Sequence, residues 1–220
     1  MTTFMKHALR CLTLLLLSGI ILSGCKSADK VLFKASSASL TSRLPALQVD
    51  VDNSLLMVTE ATEYDDARKM FEQELNQNII DAGDSTKFGY VKLQIMEASV
   101  SRPGRALQVF QMMTLLTPSM IGVPLGWYCS RVRAEVQLYD AHGELLGTYA
   151  GTGQSSVRVA MYHGYSQSDA PRLADVLALR HALDQIRPQL EVDAAALKTE
   201  FANRGPVEVI MGQTVATSPN

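Results

Sequence analysis

Apolar and polar side chains alternate with a period of two in four stretches of the chain, and each predicts a strand with one buried face. The first sets Leu47, Val49 and Val51 against Gln48, Asp50 and Asp52. The second runs from Tyr90 to Val100 with Val91, Leu93 and Ile95 on one face, and closes on the turn signal Arg102-Pro103-Gly104. The third places Val132, Ala134, Val136 and Leu138 between Arg131, Arg133, Glu135 and Gln137, and the fourth covers Leu145 to Val159. Tyr139 to Glu144, with Asp140 and Gly143, turns the third back into the fourth, so the two form a hairpin. Gly147, Gly151 and Gly153 in its second arm predict a bulge or a close backbone approach.

The period lengthens to three or four in two places. Tyr64, Ala67, Phe71, Leu75 and Ile79 predict an amphipathic helix over 62–82, opened by Thr62 and Asp65 in the spacing of a capping box and stopped by Gly83. Leu173, Val176, Leu177, Leu183, Ile186 and Leu190 predict a second helix, started by Pro171 and divided at Pro188, with a further piece from Val192 to Ala202. Ala174, Ala178 and Ala182 allow that helix close to a sheet. Val207 to Met211 adds an edge strand.

Between the second and third strands the pattern fails, because residues 106–130 carry no charge. Pro118, Gly122, Pro124 and Gly126 divide this stretch, which excludes a straight transmembrane helix and predicts a helical arm over 106–116 followed by an irregular apolar turn. Irregular backbone is costly in lipid unless protein covers it, so packing on the domain's own sheet is the favoured reading. A re-entrant or interfacial hairpin stays open, as does a methionine-lined partner surface. The fold class is α/β (α+β): one domain over 46–212, with a mixed, largely antiparallel sheet covered by helices 62–82 and 172–187 and interrupted by the apolar insert.

The first 24 residues lie outside this domain. Lys6, His7 and Arg10 precede an apolar run from Leu12 to Leu22 that is too short to span a bilayer, and Leu22-Ser23-Gly24-Cys25 ends it. This resembles a bacterial lipoprotein signal. The resemblance implies cleavage after residue 24, a diacylglyceryl group on the Cys25 thiol and an acylated new amino terminus, so several chains would hold the protein at a membrane. Lys26 and Ser27 lack the aspartate that marks inner-membrane retention in enteric bacteria, which points to the outer membrane, facing the periplasm. Residues 25–45 read as the lipidated terminus and a flexible tether, and 213–220 as a frayed tail.

Loss of the signal removes Lys6 and Arg10 and no acid, so the 20 basic residues fall by two against 22 acidic ones. A mildly acidic chain without a basic cluster argues against a nucleic-acid partner. The remaining residues, about 196, suffice for one core. Cys11 leaves with the signal and Cys25 carries lipid, so Cys129 stands alone; beside Trp127 and Tyr128 it reads as a small buried apolar residue.

Candidate chemistry is sparse. His142 falls in the hairpin turn and His181 on a helix beside Arg180 and Asp184, neither with a metal-ligand partner at useful spacing. His163, between Tyr162 and Tyr165, is the best catalytic candidate, and a packed aromatic turn explains it more simply. Ser27 and Lys30 have serine-lysine spacing but lie in the tether. Gly151-Thr152-Gly153 opens no helix and has no phosphate-loop lysine. No catalytic residue, metal or cofactor is therefore assigned beyond the lipid on Cys25. The contact candidates are Phe110, Met112, Met113, Met120 and Trp127 of the insert, with Tyr162, His163 and Tyr165 of the following loop.

Gly122-Val123-Pro124, the arm from Val132 to Asp140, and Met161 to Ser166 leading into an alanine-rich helix through Ala182 resemble small bacterial envelope lipoproteins of unassigned function. The element order is more distantly similar to the α/β lipoproteins of curli-type secretion channels and lipopolysaccharide-transport accessories. The resemblance implies a noncatalytic accessory or binding module for an envelope partner; a self-assembling channel component and an envelope hydrolase are the alternatives.

Overall fold

The four alternating stretches form one four-stranded sheet in the order β1-β2-β3-β4: Gln48–Asp52, Gly89–Ser101, Gly126–Asp140 and Leu145–Val159. The computed structural model describes residues 29–32, 38–52, 54–56, 65–81, 83, 86–160 and 164–207. β1 runs parallel to β2, whereas β2, β3 and β4 are antiparallel neighbours, so the sheet is mixed and the fold is α+β. Strict alternation holds along β3, where Tyr128, Val132, Ala134, Val136 and Leu138 are buried and Arg131 and Arg133 are exposed. In β2 the register shifts between Ile95 and Glu97. Met96 is the extra residue of that bulge, and half of it is exposed.

One face of the sheet is covered by helices. The fifth α-helix among the described residues, α5 (Asp169–Arg204), spans about 54 Å at 1.5 Å per residue, and the hairpin beneath it about 50 Å. The division expected at Pro188 does not occur, and the helix is continuous. Proline removes one backbone hydrogen bond, but Ile186, Leu190, Ala194, Leu197 and Phe201 are buried on both sides of it, so packing offsets the loss. The glycines in β4 set how close the helix comes. A Cβ on Gly153 would lie 1.8 Å from the Ala178 carbonyl oxygen, and one on Gly151 2.3 Å from that of Ala182. This is the close approach that the alternating glycines and the alanine face anticipate.

β4 is an edge strand, and α5 seals it. His181 Nδ1 donates to the Gln154 carbonyl at 2.7 Å, Gln185 Oε1 accepts from the Thr152 amide at 3.1 Å, and Gln189 Nε2 donates to the Ala150 carbonyl at 2.9 Å. Side chains four apart on a helix repeat every ~6 Å and outward backbone groups two apart on a strand every ~6.6 Å, so the periods match. An unpaired edge is a template for another strand, and these three residues occupy it.

The helix expected over 62–82 is shorter at its end. α2 (Asp66–Glu74) continues into a π-helical turn, Leu75–Ile79, and Ile80 is already extended to pair with Leu44. Its proposed start at 62–64 lies outside the described residues. Two guanidinium-carboxylate pairs hold it against α5: Arg172 grips both oxygens of buried Asp66, and Arg187 donates to buried Glu74 and to Asp184.

The tether reading does not hold for the described part of 25–45. α1 (Asp29–Leu32) packs on α5, where Arg180 donates to the Val31 and Leu32 carbonyls at 3.2 and 2.5 Å. Burial lowers the Arg180 pKa from its ordinary value. The Thr41 amide donates to the Glu191 carboxylate, and Leu32, Leu40 and Leu44 are buried. Their irregular spacing follows no helix or strand period, so composition alone hides it. Of the expected edge strand, Val207 donates to the Lys87 carbonyl, and 208–211 lie outside the described residues.

Candidate functional site

The uncharged stretch forms an arm that joins β2 to β3. α3 (Arg105–Met113) leads through Leu115 and Leu116 into the short α4 (Thr117–Met120) and returns to β3 at Gly126. Trp127 to Ser130 therefore belong to a strand rather than to the irregular turn expected there.

The arm is inverted relative to a soluble helical hairpin. Between 105 and 127 the only buried side chains are the polar pair Gln111 and Ser119. Gln111 Nε2 donates to the Pro124 carbonyl at 2.7 Å, and Ser119 Oγ donates to Gln111 Oε1. Thr114 and Thr117 turn their hydroxyls onto the arm's own carbonyls, those of Phe110 and Gln111 and that of Thr114. The apolar side chains face outward: Met113, Leu115 and Ile121 are 81%, 87% and 84% exposed, and Phe110, Met112 and Met120 more than half exposed. The favoured expectation that this segment packs on its own sheet is thus overturned. Period alone cannot tell which side of an uncharged helix faces the protein, and here the polar side does.

Leu115 and Leu116 both have positive φ, at 50° and 60°. A left-handed conformation costs a side-chain-bearing residue roughly 1–2 kcal/mol, and two in succession reverse the chain at the tip with both leucines outward.

The base of the arm is aromatic and basic. Trp127 packs over Gly104, and Arg102 stacks on the Tyr128 ring at 4.3 Å. Arg158, cross-strand from Trp127, donates to the Gly122 carbonyl at 2.7 Å. Arg102, Arg105 and Arg158 are exposed, and among the described residues none of them forms an ion pair.

Of the contact candidates, Phe110, Met112, Met113 and Met120 are exposed on the arm and Trp127 stands at its base. Tyr165 does not join them: its amide donates to the Arg158 carbonyl, it bridges Val159, and its half-buried side chain packs against the core. Cys25, Tyr162 and His163 lie outside the described residues. Cys129 is half-buried rather than buried, because it sits on the open face of the sheet, its Sγ 3.5 Å from Ser156 Oγ. That face carries a shallow polar concavity lined by Glu97, Ser99, Cys129, Arg131, Gln154 and His181. His142 stands exposed beside the hairpin turn. The residues sequence reasoning missed are Gln111 and Ser119; they are two of five uncharged polar positions in the arm, with Gln108, Thr114 and Thr117, and nothing in the sequence singles them out.

No protein-family model matches the chain, and no curated protein matches it. Among solved structures it is similar to a provisionally assigned lipoprotein from Caulobacter crescentus CB15, at 14% identity and a TM-score of 0.30, over 81% of this chain and 98% of that one. A likeness of that size carries neither fold nor role across.

Proposed function

We propose that the chain is a noncatalytic lipoprotein of the bacterial cell envelope, anchored through acylated Cys25, that holds its apolar arm against another envelope component. The signal-like run ending in Leu22-Ser23-Gly24-Cys25 supports the anchor, and Lys26 and Ser27 after it favour the outer membrane, facing the periplasm. The single observation that carries the contact role is the inverted arm. A soluble domain loses free energy by exposing a contiguous apolar surface, so such a surface marks a place where something else covers it. The rest of the fold reads as its mount: a sheet with one edge sealed and one long helix braced by buried ion pairs. Accessory work of the kind done by lipoproteins of curli-type secretion and lipopolysaccharide transport, which the element order resembles, is the finer reading.

Mass spectrometry of the amino-terminal peptide, with fractionation of a Cys25→Ala variant, tests the anchor. The expected result is a chain beginning at an acylated Cys25 and a variant that leaves the membrane fraction. An unmodified Cys25 in a mature chain overturns the reading.

A further inference from the structure

The arm's own hydrogen bonding says what medium covers it. Each backbone N–H from Thr114 to Val123, Pro118 having none, donates to a carbonyl within the arm, although this stretch is two turns and a four-residue helix. The side chains of Gln111, Thr114, Thr117 and Ser119 are satisfied there too. A loop in water has no need of this, and a protein partner is met by polar groups directed outward at the rim. In hydrocarbon every unpaired polar group costs several kcal/mol, so internal pairing of these donors lowers the cost of entry.

We infer that the occupant is a lipid bilayer: residues 105–123 dip into the headgroup and upper acyl region of an anionic membrane, as a second contact beside the lipid on Cys25. This rests on the anchored reading above. Charge complementarity supports it. The arm has no charge beyond Arg105, whereas Arg102, Arg105 and Arg158 gather at its base without acidic partners among the described residues, at the level where anionic headgroups would lie. Trp127 sits at the same level, the usual station of an interfacial aromatic. α3 is about 13 Å long, and among the described residues no helix is long and apolar enough to cross a membrane, so the contact is interfacial.

The docking point of α1 and the base of the arm lie toward the same end of α5. α1 docks at Arg180, eleven residues along α5 from its start, or about 17 Å, and Gln167 before that start lines the arm's base. Cys25 is four residues before Asp29, and four residues reach ~14 Å at full extension, a length comparable to that separation.

Trp127 is the only tryptophan, which makes the test direct. Full-length lipidated protein is reconstituted into phosphatidylcholine/phosphatidylglycerol vesicles with bromines near the top of the acyl chains. Tryptophan fluorescence is expected to be quenched, less so without phosphatidylglycerol, and the quenching lost in Met113→Glu/Ile121→Glu, whose exposed positions leave folding intact by circular dichroism. Unquenched fluorescence with Cys25 acylated overturns the inference and leaves the anchored reading standing. A photo-crosslinker at position 113 that captures protein instead of lipid in native membranes also overturns it. An unacylated Cys25 overturns the anchored reading, and this inference with it.

Discussion

Gln111 and Ser119 hydrogen-bond one another at the centre of an arm whose outer surface is made of methionine, leucine, isoleucine and phenylalanine. The pair holds α3 to α4, and Gln111 also ties the returning chain through the Pro124 carbonyl. An apolar clasp would serve equally in a soluble hairpin; a polar one leaves the apolar side chains free to face out.

Gln111→Leu should leave Ser119 and the Pro124 carbonyl without their partner, a cost of about 1–3 kcal/mol confined to the arm. Hydrogen exchange would show faster amides from Thr114 to Val123 with β3 and β4 unchanged. A uniform change across the domain would mean that the clasp is not local.

Gly153→Ala places a methyl group on the Ala178 carbonyl, where neither backbone can yield cheaply. The expected loss is about 3 kcal/mol, the upper end for overpacking, or roughly 6–12 °C in Tm. Gly122→Ala is the contrast: nothing lies within 4 Å of the added carbon, and only its positive φ of 94° is strained, for about 1 kcal/mol.

Gln185→Ala with Gln189→Ala should bare the outer edge of β4 at Thr152 and Ala150. Sedimentation is expected to show concentration-dependent self-association beyond that of the parent. A monomer of unchanged stability would show that the two glutamines do not guard this edge.

Asp140 joins the hairpin turn to the last turn of α5. Burial alone would raise its pKa, but the Arg204 guanidinium and the amides of Glu144 and His142 outweigh that and hold it at about 2. A depressed carboxylate adds stability that is complete above its ordinary value of 3.8 and is lost as pH falls from there toward 2. Tm should therefore stay level down to about pH 4 as far as this group is concerned, then fall. Asp140→Asn keeps the acceptor for both amides, so it should remove this part of the acid dependence and lower Tm at neutral pH.

What sequence made legible follows from where one periodic pattern decides the matter. Val132 to Leu138 and Val91 to Ile95 are buried on one side only, so their alternation gave strand, face and hairpin together. Gly151 and Gly153 opposite Ala178 and Ala182 were readable because close approach leaves small residues on both partners. The break at Pro188 was misread, since local propensity cannot see the burial of Leu190, Leu197 and Phe201 that carries α5 through it. Leu32, Leu40 and Leu44 were hidden because they reach the core from irregular chain. The arm could be located by its lack of charge but not oriented, because Gln111 and Ser119 declare the inner side only when α3 and α4 are seen packed together.

Methionine footprinting in intact membranes tests the central claim most directly. Met112, Met113 and Met120 are exposed on the arm, and Met96, 48% exposed at the β2 bulge, is an internal control on the same chain. Exposed thioethers oxidise readily and covered ones do not. All four should react in purified protein, whereas in native envelopes the three arm methionines should be protected while Met96 still reacts. Oxidation of Met112, Met113 and Met120 at the same rate relative to Met96 in both settings would contradict that claim.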